Sequence, residues 1–133
     1  MKTRISRGIK NNNPLNIRLG SPWKGLCKEQ KDKAFCQFQR MEWGLRAAFC
    51  LLHTYAEKHR LSSIKDIISR WAPPSENDTT AYVRQVCLLT GFGGNQRLTE
   101  AQWPRLVKAM AKIESGAELT DELLEKAFTL YKH

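Results

Sequence analysis

Apolar residues recur with a helical period from residue 44 onward. Between 44 and 60, Leu45, Ala48, Phe49, Leu52, Tyr55 and Ala56 sit at i, i+3, i+4, i+7 spacing, the mark of a helix with one inward face. Ile64, Ile67, Ile68 and Trp71 predict a second helix over 63–71. Ser63 and Asp66 offer it a capping box, and Pro73-Pro74 ends it. A third opens at Asp78, a good N-cap, carries Tyr82, Val83, Val86 and Leu89 on its stripe, and stops at Gly91. A fourth lies within 99–115 and is closed by Gly116. Pro104 stands too far in for a regular first turn counted from Thr99. A fifth spans 120–131, with Leu123, Leu124, Ala127 and Phe128 inward.

The first 43 residues lack this period. Asn11-Asn12-Asn13-Pro14 is turn chemistry, because Asn tolerates left-handed backbone and Pro fixes φ. Residues 16–19 and 34–38 have strand-like composition and predict a small antiparallel hairpin around the charged loop 28–33. No repeat or linker divides the chain. Its 133 residues, 41% of them apolar, fit one core. The expected fold is therefore mainly α (α+β): a single domain over 1–133, with about five helices and a small N-terminal β-hairpin.

Charge changes the picture next. Lys and Arg number 22 against 13 acids, a net +9, and such a charge draws a protein toward polyanions. Nucleic acid, anionic lipid and bacterial envelope polymers all qualify. Basic residues occur in every segment, with no clustered recognition helix and no RNA-binding aromatic strand, so nucleic acid is disfavoured. No run approaches the ~20 apolar residues of a membrane span. The N-terminus MKTRISRG is basic and lacks the apolar stretch of a secretory signal. The expectation is a protein made in the cytoplasm without a signal peptide, then carried on a virion or delivered to the wall by other means. Cys27, Cys36, Cys50 and Cys87 form no CxxC pairs, and His53, His59 and His133 have no metal spacing. No metal or cofactor is expected. The thiols are read as free, with Cys50 and Cys87 in the core.

Three segments carry candidate chemistry. On helix four, Glu114 follows Met110 by four residues and Val107 by seven, which puts it on their apolar face. A carboxylate at the rim of an apolar pocket loses solvation, and desolvation favours the protonated form that a general acid needs. The segment APPSENDTTAYV, residues 72–83, is polar, turn-rich and opens a helix. It offers the carboxylates Glu76 and Asp78, the amide Asn77, and Tyr82, which can bond a sugar or hold a catalytic acid. The segment RGIKNNNPLNIR, residues 7–18, offers amides, among them Asn13 and Asn16, suited to sugar hydroxyls and N-acetyl groups. Trp23, Trp43 and Trp71 are candidates for a stacking face, Trp71 rather for the core. Glu42, just before helix one, is read as an exposed carboxylate.

These same segments resemble a family of small phage and prophage virion structural proteins that carry a lysozyme-like domain. RGIKNNNPLNIR, Trp23-Lys24-Gly25, FQRMEWGLRAAFCLLHTY, the stretch from Ile67 to Val83, and Glu114-Ser115-Gly116 carry the resemblance over about residues 7–117. Ile113-Glu114-Ser115-Gly116 is also similar to the Glu-Ser-Gly motif of soluble lytic transglycosylases, whose Glu is the catalytic acid. Asn16-Ile17-Arg18-Leu19-Gly20 looks like their Asn-Ile-x-Leu-Gly stretch, and residues 76–83 like their Glu-Thr-x-x-Tyr-Val element. Glu-Ser-Gly comes last here, which implies a circularly permuted lysozyme-like core.

The resemblance implies a peptidoglycan lytic transglycosylase or muramidase cleaving the β-1,4 bond between N-acetylmuramic acid and N-acetylglucosamine. Glu114 would be the acid. A hydrolase would need a second carboxylate, for which Glu76, Asp78 and Glu42 are candidates. Asn13, Asn16, Tyr82, Asn77 and Glu42 would bind or orient the glycan. The partners would be peptidoglycan glycan strands, with virion proteins beside them. A non-catalytic virion or wall-binding module on the same fold, and a basic DNA-associated phage protein, are the rival readings.

Overall fold

The computed structural model describes residues 5–133. Met1 to Arg4, the start of the basic N-terminus, lie outside the described residues. The described chain is mainly helical: α1 (Arg7–Lys10), α2 (Met41–His59), α3 (Ile64–Trp71), α4 (Thr79–Thr90), α5 (Trp103–Ser115) and α6 (Asp121–Lys132). A 3-10 turn, Glu100–Gln102, precedes α5.

The five helices expected from periodicity are all present, and their ends follow local chemistry. Ser63, Asp78 and Thr120 accept from the backbone N–H three residues on, capping α3, α4 and α6. Thr99 and Gln102 form a reciprocal capping box around the 3-10 turn. That turn resolves the position of Pro104, because α5 proper starts only at Trp103 and the proline falls in its first turn, where no N–H is needed. On α4 the stripe differs from expectation. Thr79, Tyr82, Val86 and Thr90 are buried, whereas Leu89 is 48% exposed.

The core is built on α2. Leu45, Ala47, Ala48, Phe49 and Leu52 are fully or almost fully buried, and a large apolar side chain so placed contributes about 1.5–3 kcal/mol. α6 packs along α2, with Phe49 edge-on to Phe128 at 5.1 Å between ring centres. α5 crosses the same core through Leu106, Val107, Met110 and Ala111, and meets α4, α2 and α6. α3 packs on α4.

Residues 5–40 form an N-terminal lobe around the end of α5. The expected hairpin is not formed, and the described residues include no strand. Arg18 and Phe35, and Leu26 and Phe38, meet only as isolated antiparallel bridges. Leu19 N–H donates to Ala34 O and Cys36 N–H to Ile17 O, and pairing stops there because side chains take the neighbouring backbone groups. Asn13 accepts from Ile17 N–H and donates to the carbonyls of Ile17 and Cys36. Asp32 accepts from Ala34 and Phe35 N–H. Asn16 itself is left-handed, at φ 53°, which ends extended backbone. The short α1, also unforeseen, is capped by Ser6 and packs on α5.

Candidate active site

Glu114 closes α5, one residue before its last, and the helix stops on Gly116 in the left-handed conformation at φ 65°. The carboxylate is half-buried. Two side chains from distant segments hold it. Tyr82 of α4 donates its hydroxyl to Oε2 at 3.0 Å. Asn16 of the N-terminal lobe donates Nδ2 to Oε1 at 3.1 Å. Glu114, Tyr82 and Asn16 are thus brought together. Tyr82 is only 8% exposed. Burial, then the charge and hydrogen bond of Glu114, holds its phenol far above the ordinary value, so it remains protonated and available as a donor.

The α5 terminus is stapled to the lobe by contacts that sequence inspection did not single out. Ser115 is buried, and its hydroxyl donates to Pro14 O at 2.8 Å. The Ser6 hydroxyl donates to Ser115 O, also at 2.8 Å. Gly8 lies against this staple, where a Cβ would overlap Ser115 Oγ and come within 2.9 Å of Asn16 Oδ1. The residue in the sequence that could have signalled the staple is Gly8, a glycine between Arg7 and Ile9 just ahead of the Asn run.

Asn13 lies beneath the site, with 0% exposure. Its amide shapes the 13–17 loop through the three bonds described above, so it positions Asn16 and presents no group to the surface. Asp32 braces the other side of the lobe. It accepts from Arg7 Nε at 2.6 Å and from Asn11 Nδ2 at 3.0 Å. The Arg7 bond, then backbone N–H groups and Asn11, hold its carboxyl well below the usual carboxylate range.

The remaining candidates stand apart from Glu114. Thr79 donates to Ala72 O and pins the 73–78 turn, on which Glu76, Asn77 and Asp78 are all exposed. Asp78 caps α4 through Ala81 N–H. Asn77 donates to Pro73 O at 3.3 Å. Among the described residues none of the three bonds to Glu114. Glu42 departs from expectation: it lies inside the first turn of α2, 8% exposed rather than free. Its Oε2 pairs with Lys126 Nζ of α6 at 2.9 Å, and that bond lowers its pKa from the usual value. The ion pair ties α2 to α6 and leaves no open carboxylate there.

Trp23, Trp43 and Trp71 are half-buried. Gly25 packs directly on the Trp43 indole, and Trp71 stands edge-on to Tyr55 at 5.9 Å. The cysteines are free; Cys36 is the buried one, while Cys50 and Cys87 are half-buried. Among the described residues no three His, Cys, Asp or Glu side chains converge as metal ligands. No helix among them is long and apolar enough to cross a membrane.

No family model matches the chain. Over 128 residues it is 41% identical to Protein P5 of Pseudoalteromonas phage PM2, an alignment that takes in 92% of this chain and 80% of that protein.

Proposed function

We propose, for a chain that belongs to the family of Protein P5 of Pseudoalteromonas phage PM2, a function read from its own Glu114 site: a phage-derived, lysozyme-like enzyme that cleaves the β-1,4 bond between N-acetylmuramic acid and N-acetylglucosamine. One observation carries the reading. Glu114 of the Glu-Ser-Gly element is held by Tyr82 and Asn16, one from each of the other two elements that resemble lytic transglycosylases. A chance likeness of three short motifs gives no reason for them to meet at one carboxylate, whereas a circularly permuted lysozyme-like core does.

On this reading the two carboxylate oxygens do different work. Asn16 Nδ2 can only donate, so Oε1 is the acceptor and Oε2 is the oxygen through which this reading passes the proton. Glu114 gives that proton to the glycosidic oxygen as the C1–O bond breaks. The resulting carboxylate then takes the proton of the muramyl 6-hydroxyl, whose oxygen closes onto C1 and leaves a 1,6-anhydro end. Tyr82 steadies Oε2 in both states, and Asn13 positions Asn16.

A lytic transglycosylase is favoured over a hydrolase because one carboxylate suffices for it. A hydrolase needs a second carboxylate at a set separation to activate water or form an intermediate. Glu76 lies on the exposed turn, Asp78 caps a helix and Glu42 is paired with Lys126.

One observation favours a second reading. Both Glu114 oxygens are satisfied within the chain, which also suits a carboxylate that only ties α4, α5 and the lobe together. The protein would then be a non-catalytic virion or wall-binding module. Turbidity of a suspension of purified sacculi separates the two. The enzyme clears it and Glu114→Gln does not; a suspension that wild type leaves turbid supports the module.

A further inference from the structure

Cations occur in every segment, but the excess of charge does not. Residues 1–40 hold ten of the 22 Lys and Arg and only two of the 13 acids, a net +8 of the chain's +9. The helical body is close to neutral, and several of its cations are paired, as in Lys108–Asp121, Lys112–Glu118, Lys126–Glu42 and Lys132–Glu100. The lobe differs. Arg7 is paired with Asp32, while Lys10, Arg18, Lys24, Lys28, Lys31, Lys33 and Arg40 are exposed and, among the described residues, pair with no acid.

Unpaired like charges repel one another, so a lobe that concentrates them is built for an anionic partner. It is also braced. Asp32 ties Arg7, Asn11 and the 32–35 turn together, and Arg18 stacks over Phe35, 5.2 Å from the ring centre. This same lobe supplies Asn16 to Glu114, so the cations and one arm of the proposed site belong to one lobe.

Nucleic acid fits this surface less well. Phe35 is covered by Arg7 and Arg18 and Trp43 by Gly25, which leaves little for base stacking. The lobe's one helix has four residues, too few to enter a groove as a recognition helix. The glycan backbone of peptidoglycan is itself uncharged, and its anionic groups are the carboxylates of the peptide stems carried on the muramyl residues. We propose that the N-terminal lobe binds these stem carboxylates, so that the site takes stem-bearing glycan in preference to bare glycan. This rests on the cell-wall reading of the Glu114 site.

The test measures binding, with cleavage read separately. Fluorescently labelled glycan strands are titrated with the Glu114→Gln protein by anisotropy, with stems intact and after amidase removal with the lactyl carboxylates so exposed capped as amides, alongside duplex DNA of similar length. Stem-bearing strands bind about ten-fold more tightly than bare ones, a preference of electrostatic origin. The preference shrinks between about 50 and about 300 mM salt as screening shortens. Replacing Lys24, Lys28, Lys31 and Lys33 together with Ser abolishes it, and replacing the same four with Arg keeps it. A thermal melt confirms that each variant is folded. Equal affinity for intact and stripped strands overturns the proposal, as does tighter binding to DNA than to stem-bearing glycan. Cleavage of sacculi by wild type without any stem preference overturns this inference and leaves the catalytic reading standing. Stem preference without cleavage does the reverse.

Discussion

Tyr82 Oη lies 3.0 Å from Glu114 Oε2, joining residues 32 positions apart. The contact exists because α4 and α5 pack side by side and present their inward faces to one rim. It makes a phenol that burial keeps protonated the permanent partner of the one carboxylate on which the proposed chemistry depends.

Tyr82→Phe keeps the buried ring and removes that donor. The expected loss of stability is about 1 kcal/mol by chemical denaturation, the usual net worth of one hydrogen bond. Release of muropeptides should fall roughly 10–100-fold, because the acid is no longer held in register. An unchanged rate would remove Tyr82 from the site.

Gly8→Ala places a methyl group against Ser115 Oγ and Asn16 Oδ1. Overpacking of this kind costs about 1–3 kcal/mol. Adding Ser115→Ala relieves the first clash and leaves the second, so the double variant should recover part of the loss relative to its own Ser115→Ala parent. Gly8→Ala with wild-type stability contradicts the staple between α1 and the end of α5.

Two asparagines first grouped together as glycan-binding residues should separate cleanly. Asn13→Ala removes the side-chain partner of the Ile17 N–H and of the Cys36 carbonyl in a fully buried site, while the Ile17 carbonyl keeps the Cys36 N–H, at a cost of about 2–3 kcal/mol. Asn77→Ala removes one long bond on an exposed turn and should stay within about 0.5 kcal/mol of wild type. Equal effects on urea midpoints would contradict the placement of Asn13 beneath the site.

Much of this was legible along the chain. Amphipathic spacing located α2 to α6, because each is long enough to repeat its period. The misfit of Pro104 with Thr99 is a real feature, settled by a separate capped turn. α1 has four residues and shows no period. The hairpin failed because Asn13 and Asp32 take up backbone groups that a ladder would use, a competition that strand propensity does not register. Glu42 reads as an exposed carboxylate until Lys126 of α6 is placed beside it. Glu114 stands out by spacing and motif, and the resemblance implies that it faces the Asn-rich segment and the 76–82 loop; the particular bonds from Tyr82 and Asn16 come only with the packing.

Asp32 makes the lobe sensitive to acid. Its folded carboxyl is held below the ordinary value, chiefly by Arg7. Such a group stabilises fully above its unfolded pKa of about 3.9 and loses that contribution as pH falls toward the folded value. The melting temperature of wild type should exceed that of Asp32→Asn at neutral pH, and the gap should narrow as pH falls below about 4. A gap that stays constant from neutral pH to strong acid would show that Asp32 acts by shape rather than by charge.

The most direct measurement is mass spectrometry of the muropeptides released from purified sacculi by wild type and by Glu114→Gln. Wild type should release fragments ending in 1,6-anhydro-muramic acid, and Glu114→Gln, which keeps the side-chain shape but has no proton to give, should release none. Reducing ends would make the protein a hydrolase, and equal release by both proteins would take Glu114 out of the chemistry and contradict the account at its centre.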